Sequence, residues 1–129
     1  MTALALTTFL VPEYDEAIAF FRDALDFALL EDTDLGGGKR WVVMGGASGG
    51  KLLLARAVND KQRSSIGRQA GGRVGWFLAS DDFAADHRRM TDWGVEFSEE
   101  PRHEPYGIVA VFSDPWGNPW DLIEYRKAA

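Results

Sequence analysis

The sequence predicts an α+β fold made of two paired βαβββ modules, whose strands form one cup-shaped, curved sheet. Strand-like and helix-like hydrophobic periods alternate along the chain in this order, and the order occurs twice. The strand after the first helix begins at Phe27, and the strand after the second helix begins at Val95. The two positions are 95 − 27 = 68 residues apart, about half of the chain. A half of roughly sixty residues buries a sheet face poorly by itself. We therefore expect the halves to pair their sheets around a concave space, which is the default place for a ligand.

The first module is assigned to residues 1–57. An apolar segment that ends at Pro12 predicts a buried strand. After it, apolar residues recur at steps of three and four, which is typical of an amphipathic helix of about three turns. Three further apolar segments, separated by glycine-rich turns, predict strands. The predicted elements are a strand at 3–11, a helix at 13–25, and strands at 27–31, 39–44 and 51–57.

A polar linker, residues 58–72, precedes the second module, residues 73–129, and can hold a helical turn. The pair Asp81-Asp82 offers an N-cap for the second helix, and Gly94 stands at its expected C-terminal cap. The predicted elements of this module are a strand at 73–80, a helix at 82–93, and strands at 95–98, 108–112 and 120–125.

Composition excludes several classes of protein. The chain has 129 residues, 46% of them apolar, which fits one domain. Its 14 basic and 20 acidic residues give a net charge of −6, which argues against nucleic acid or an anionic membrane as a partner. With no cysteine, disulfides and thiolate chemistry are absent. No basic leader begins the chain and no apolar run approaches the ~20 residues of a membrane span, so we expect a cytoplasmic protein.

Three segments, 14–27, 81–95 and 114–124, carry a resemblance to a known family. They resemble the opening helix and strand, the second helix with its glycine exit, and the terminal hairpin of the vicinal oxygen chelate superfamily. That superfamily includes glyoxalase I, extradiol dioxygenases, fosfomycin-resistance enzymes and bleomycin-resistance proteins. The resemblance implies paired modules around a cup-shaped site, usually in a homodimer, with the modules paired within one chain or swapped between two.

The resemblance also implies four metal-ligand positions, one on each of four strands, which the family's metal enzymes fill with His, Glu or Gln. Here they fall at Leu6 (Thr7 if the register slips by one), within 52–54, near Trp76, and at Asp121. Only Asp121 is a plausible donor. Because catalytic sites typically supply about three protein ligands, we predict no bound metal and no cofactor.

Asp121 and Trp120 must point to opposite faces of their strand, so Trp120 should pack under the second helix if Asp121 faces the cavity. With Trp76 assigned to the cavity wall, the two would form a half-apolar, half-anionic pocket. Burial would raise the pKa of the Asp121 carboxyl, making it a proton acceptor or an anchor for a cation. The remaining predicted lining is Tyr106, Phe112 and Ile123.

The segment between Pro101 and Pro105 contains a cation, an imidazole and a carboxylate in one turn: Arg102, His103 and Glu104. One interpretation is a hydrophilic hairpin. The other is a rim of the cavity, with His103 acting as a general acid or base near neutral pH. The second histidine, His87, is interpreted as structural or as a surface residue.

Arg40 and Trp41 are neighbours on a predicted strand, so at most one of them faces the cavity. Arg40 can either pair with an anionic ligand or lie at a solvated strand edge. The candidate ligand-binding residues are Arg40, Trp41, Trp76, Arg102, His103, Tyr106, Phe112 and Asp121.

Three functions are compatible with these features. The first is a metal-independent protein that binds a small molecule, similar to the bleomycin-resistance branch. The second is a glyoxalase-type lyase, isomerase or dioxygenase with a non-standard metal site, for which the candidate catalytic residues are His103, Glu104 and Asp121. The third is an interaction domain whose cavity is filled by Leu6, Leu54 and Trp76.

Overall fold

A computed structural model describes residues 1–46 and 48–127 of the chain. The chain divides into two compact units, Met1–Ile66 and Gly67–Ala129. Each contains one mixed sheet, of four strands in the first and five in the second, which confirms the predicted α+β class. In the described part of the chain, no helix is long and apolar enough to cross a bilayer.

The first unit has the strand order β1-β4-β3-β2, with β1 parallel to β4 and the other neighbours antiparallel. Its helix α1 continues into a π-helical turn, Phe20–Ala24, so the predicted helix is split in two. Phe21 of this turn packs edge-on against Phe9 at 5.3 Å between ring centroids, which anchors the end of the helical segment to one face of the sheet. The elements are β1 Thr7–Val11, α1 Tyr14–Ala19, β2 Ala28–Gly36, β3 Lys39–Gly45, β4 Lys51–Arg56 and α2 Asp60–Ser65.

The second unit has the order β5-β9-β8-β6, and a short strand β7 also pairs with β8. Its helix begins and ends as predicted: Asp82 Oδ1 accepts a hydrogen bond from the backbone N–H of Ala85 at 3.2 Å, and Gly94 is left-handed at φ 111°. Strand β7 forms a hairpin with β8, which agrees with the hairpin interpretation of the segment between Pro101 and Pro105, although no separate strand was predicted there. The elements are β5 Trp76–Ala79, α3 Phe83–Trp93, β6 Glu96–Phe97, β7 Arg102–Glu104, β8 Gly107–Ser113 and β9 Pro119–Tyr125.

A buried carboxylate organises the turn before β9. Asp114 is 4% exposed and its two oxygens accept hydrogen bonds from both the backbone and the side chain of Asn118. They also accept from the indole Nε1–H of Trp120 at 3.0 Å and the backbone N–H of Trp116 at 3.0 Å. The turn thereby fixes where β9 starts, and with it the face on which each β9 side chain lies.

Candidate functional site

The face of the second sheet that α3 covers is a stack of aromatic side chains. Trp76 stacks on Trp120 at 5.2 Å between ring centroids, and Phe112 stacks on Trp120 at 5.8 Å. His87 of α3 lies between Phe83 and Phe97 on the same face, at 5.6 and 4.1 Å, which fits its structural interpretation. Phe83, Phe112 and Trp120 belong to the unit's core, whereas Trp76, His87 and Phe97 are half-buried.

The predicted pairing of Trp76 with Asp121 is therefore wrong. Strand β5 pairs with β9 so that Trp76 lies opposite Trp120 and Phe77 lies opposite Asp121. Directly opposed residues share a face of the sheet, and successive residues alternate between faces. The register differs by one residue from the one expected, so Trp76 and Phe112 face α3 while Asp121 faces away from it.

We call the sheet face turned away from the helix the distal face. In the second unit it carries Asp121, its cross-strand neighbours Phe77 and Val111, and Ile123. This alternation confirms the prediction that Asp121 and Trp120 lie on opposite faces of their strand. Phe77 is 62% exposed, which is high for a phenylalanine in a strand. Asp121 Oδ1 is buried and has no hydrogen-bond partner within the described residues.

Burial raises the pKa of the Asp121 carboxyl above its ordinary value, as predicted; the positive charge of Arg102 opposes this shift and the negative charge of Glu99 adds to it. Arg102 is itself held by two carboxylates, with Nε 3.0 Å from Glu99 Oε1 and Nη1 2.8 Å from Glu104 Oε1. Glu99 Oε1 also accepts from the backbone N–H of Val111 at 3.1 Å. Counting Asp121 itself, three carboxylates and one guanidinium lie in this part of the sheet, and the charge of Arg102 acts on Asp121 more strongly than that of Glu99.

His103 lies on the other side of the same sheet. It pairs with Ile108, which pairs with Glu124 in the row that faces α3. There it lines a groove of about 700 Å³ together with α3 residues that include His87. Arg102 and Glu104 alternate with His103 and so lie towards the distal face, while Tyr106 is exposed in the turn that joins β7 and β8. The structure therefore separates His103 from Asp121, and the expectation that they share one cavity is wrong.

In the first unit, Arg40 and Trp41 lie on opposite faces of the sheet, as predicted. The Arg40 guanidinium sits 5.1 Å from the ring centroid of Tyr14 and is paired with Asp15 at 2.8 Å and Asp32 at 2.7 Å. These carboxylates raise its pKa further above the ordinary value. Arg40 is thus occupied within the unit, whereas Trp41 lies on the distal face and is 37% exposed.

The residues at the four positions implied for a metal do not suit one. On the distal faces the nearest residues are Thr8, Leu53, Phe77 and Asp121, which offer one carboxylate among them. Within residues 1–46 and 48–127, no three His, Cys, Asp or Glu side chains gather in a way that could hold a metal ion. A single carboxylate supplies too few ligands for a stable catalytic ion.

The expected filling of a cavity by apolar side chains is also corrected in part. Leu54 is fully buried and pairs with Phe9 on the face that α1 covers, and Trp76 is stacked on Trp120 on the face that α3 covers. Neither of these two side chains can therefore fill a cavity on a distal face. Phe77, by contrast, was missed, although its alternation with Trp76 in one strand was the signal that could have found it.

Comparisons with known proteins agree with this architecture. Residues 3–122 match the family model described as "Glyoxalase/Bleomycin resistance protein/Dioxygenase superfamily". An uncharacterized protein of Shewanella frigidimarina is 50% identical over 117 residues, covering 88% of this chain and 87% of that protein. The crystal structure of UcmS2 is 27% identical with a TM-score of 0.78, covering 95% of this chain and 98% of that one.

A further solved structure is that of TnmS3, an antibiotic binding protein from a Streptomyces species. It is 29% identical with a TM-score of 0.71, covering 98% of this chain and 99% of that one. The match of the family model extends over nearly the whole sequence, from the first strand to β9. This chain therefore belongs to the glyoxalase/bleomycin resistance protein/dioxygenase superfamily.

Proposed function

We propose that this chain binds a small organic molecule without a metal ion and holds it on the distal face of the second sheet. The observation that carries the proposal is Asp121 Oδ1, a buried acceptor without a partner in the described part of the chain, placed beside the exposed ring of Phe77. A buried polar atom without a partner costs free energy, which a donor on a ligand would recover. Similarity to an antibiotic binding protein over 98% of this chain supports the same class of function.

The chemistry of this face favours a flat ligand that carries a positive charge or strong hydrogen-bond donors. Phe77 offers an apolar surface, and an aromatic face attracts cations as well as flat rings. Asp121, Glu99 and Glu104 give a local excess of negative charge that Arg102 balances only in part. A planar cation would meet both features at once.

The test compares two dyes of similar size and opposite charge, proflavine (a planar cation) and anilinonaphthalene sulfonate (an anion), by fluorescence titration. We expect proflavine to bind more tightly. Asp121→Asn should weaken proflavine binding about 10- to 100-fold, since hydrogen bonds to charged groups contribute about 1.5–3 kcal/mol. Phe77→Ala should weaken it as well.

Matched controls are Asp26→Asn, the same change at an exposed carboxylate of the first unit, and Trp93→Ala, which removes an exposed ring from α3. Both should leave the affinity unchanged. Equal binding of the two dyes, or unchanged binding by both site variants, would overturn the assignment of the ligand to this face. A thermal-shift screen of aromatic glycopeptides, with the anionic glutathione conjugates and dioic acids as comparison compounds, extends the test, because a ligand at 100 times its Kd adds about 2.7 kcal/mol of stability.

Metal independence has its own test. Elemental analysis of protein purified without chelators should find less than about a tenth of an equivalent of Fe, Mn, Ni, Zn or Co. Close to one equivalent would overturn this part of the proposal and favour the enzyme alternative.

A further inference from the structure

Arg102 lies on the distal face of the second sheet, in the neighbourhood of Asp121. It pairs with Val109 of β8, and Asp121 lies opposite Val111, two residues further along that strand. Two strand spacings and two residues put the Cα atoms of Arg102 and Asp121 about 12 Å apart, which an extended arginine and an aspartate can span together. Burial raises the pKa of the Asp121 carboxyl and the charge of Arg102 opposes that shift, so the two groups are close enough to interact.

Despite this proximity, Asp121 Oδ1 accepts no hydrogen bond from any described residue, Arg102 included. The guanidinium is bound instead to two other carboxylates. Its Nε lies 3.0 Å from both Oε1 and Oε2 of Glu99, and its Nη1 lies 2.8 Å from Glu104 Oε1. These bonds raise the pKa of Arg102 further above its ordinary value. A cation that could pair with Asp121 is thus held elsewhere.

Glu99 is fixed by the backbone of β8, whereas Arg102 is fixed mainly by its ion pairs. Glu99 Oε1 accepts a hydrogen bond from the backbone N–H of Val111 at 3.1 Å. The preceding residue, Ser98, donates its backbone N–H to the carbonyl oxygen of Val111 at 2.9 Å. The side chain of Arg102, in contrast, is 43% exposed, so solvent rather than packing surrounds much of it. The position of the guanidinium therefore depends on the two carboxylates that hold it.

We propose that Glu99 and Glu104 are positioning residues for the ligand site, because they hold Arg102 away from Asp121 and so keep the Asp121 carboxylate available to a cationic ligand. A guanidinium forms stronger hydrogen bonds with a charged acceptor than with a neutral one. When both glutamates lose their charge, Asp121 is the remaining carboxylate of this group, and Arg102 turns to it and takes the place of the ligand. The inference rests on the proposed function for its ligand, but the position of Arg102 can be tested without one.

The first test uses thermal unfolding at pH 7 and needs no ligand. Asp121→Asn should raise the Tm of the wild type, because it removes a buried charge whose Oδ1 has no partner among the described residues. In a Glu99→Gln/Glu104→Gln background the same change should lower the Tm by roughly 1–4 °C, because it then removes the partner of Arg102. Glutamine at position 99 keeps an acceptor for the Val111 N–H. A rise in Tm in both backgrounds would overturn the proposal.

The second test measures proflavine binding by fluorescence titration. The Glu99→Gln/Glu104→Gln variant should bind proflavine roughly tenfold more weakly than the wild type. Adding Arg102→Gln to this variant should tighten binding again by about fivefold or more, because no guanidinium then competes for Asp121. Unchanged affinity in the double variant, or no recovery in the triple variant, would overturn the proposal.

The matched control is Glu96→Gln/Glu100→Gln, which removes the same charge from two exposed residues on either side of Glu99. It should bind proflavine within about threefold of the wild type, and Asp121→Asn should still raise its Tm. A control that matches the Glu99→Gln/Glu104→Gln variant in both measurements would show that net charge, rather than the position of Arg102, explains the effects, and would overturn the proposal.

Two further outcomes remain decisive. If the Glu99→Gln/Glu104→Gln variant fails to fold, Glu99→Gln alone replaces it in both tests, with the same directions expected. If proflavine does not bind the wild-type protein, the proposed function fails, while the sign of the Tm change on Asp121→Asn in the two backgrounds still decides whether the glutamates hold Arg102 away from Asp121.

Discussion

Asp121 places a carboxylate on a sheet face where one of its oxygens has no partner among the described residues. Folding gains nothing from this arrangement, because a desolvated charge opposes it. Groups of this kind persist in proteins chiefly where function needs them, and function then limits stability. The stability of an Asp121 variant therefore reports on the cost of the site independently of any ligand.

We expect Asp121→Asn to be more stable than the wild type at pH 7. Burial raises the folded-state pKa of this carboxyl from 3.8, so the folded protein binds the proton more tightly than the unfolded chain. The free energy of unfolding then falls as the pH rises from the ordinary pKa through the raised one. Asparagine carries no charge and so removes this loss of stability, which should raise the Tm by roughly 1–4 °C.

Thermal unfolding between pH 3 and 8 measures this effect. The advantage of Asp121→Asn should shrink as the pH falls and the wild-type carboxyl takes up its proton. Asp26→Asn is the control for the chemical change. A variant that is less stable than the wild type at every pH would show that Asp121 contributes a stabilising contact.

Asp114 illustrates the opposite case, a buried carboxylate whose oxygens are fully used. Asp114→Ala would strip acceptors from the side chains of Asn118 and Trp120, both of which are buried. We expect the free energy of unfolding to fall by about 2–5 kcal/mol, measured by urea denaturation. Asp34→Ala also removes an acceptor from a backbone N–H, that of Gly36 at 2.8 Å, but at an exposed site. It should cost less than about 1 kcal/mol, and equal losses in the two variants would contradict the role given to Asp114.

Among the elements, strand β2 shows how an exposed edge is tolerated. All nine of its residues, Ala28–Gly36, are exposed, and its pairing with β3 shifts register twice. Glu31, Asp32 and Asp34 place charges along it, which disfavours pairing with another strand edge. The same charges explain why the sequence predicted a strand of only five residues there, since they resemble turn chemistry.

The close approach of β8 to β9 depends on a glycine at the start of β8. Gly107 has a φ of +151°, and a Cβ built there would lie 2.0 Å from the carbonyl oxygen of Glu124 on β9. Gly107→Ala should therefore push β8 away from β9 and lower the free energy of unfolding by more than about 3 kcal/mol. Circular dichroism and urea denaturation measure the loss.

Gly94→Ala shows how much of the loss comes from backbone strain and how much from the steric clash with β9. Gly94 also has a positive φ, +111°, but nothing lies within 4 Å of a Cβ built on it. It should cost only about 1–2 kcal/mol, the penalty of a left-handed conformation. A loss at Gly107 no larger than the loss at Gly94 would mean that β8 and β9 can adjust to the added methyl group.

At the scale of the whole molecule, the homodimer implied by family resemblance stays a prediction. Several large apolar side chains remain exposed in the chain, among them Leu29, Leu30 and Leu35 of β2. Exposed apolar surface of this kind is typical of interaction sites. Light scattering coupled to size exclusion should give a mass of 2 × 14.3 = 28.6 kDa for a dimer, and a mass of 14.3 kDa at micromolar concentration would contradict the prediction.

The sequence by itself determined what depends on near neighbours along the chain. Helix caps such as Asp82 and Gly94 act within one turn, and strict alternation placed Asp121 opposite to Trp120 and Arg40 opposite to Trp41. The order of the main elements followed from hydrophobic period in the same way, and the terminal motif was specific enough to point to the family. All of these are local properties, and the structure bears them out.

Only the tertiary structure decided what depends on register and on distant partners. A slip of one residue between β5 and β9 exchanges Trp76 for Phe77 beside Asp121, because each step along a strand reverses the face. Arg40 is paired with Asp15, 25 residues away in sequence, and with Asp32 on the neighbouring strand, so its charge is compensated within the unit, which no motif marked. Cross-strand pairing and charge compensation are settled by packing between segments, and a linear pattern does not encode them.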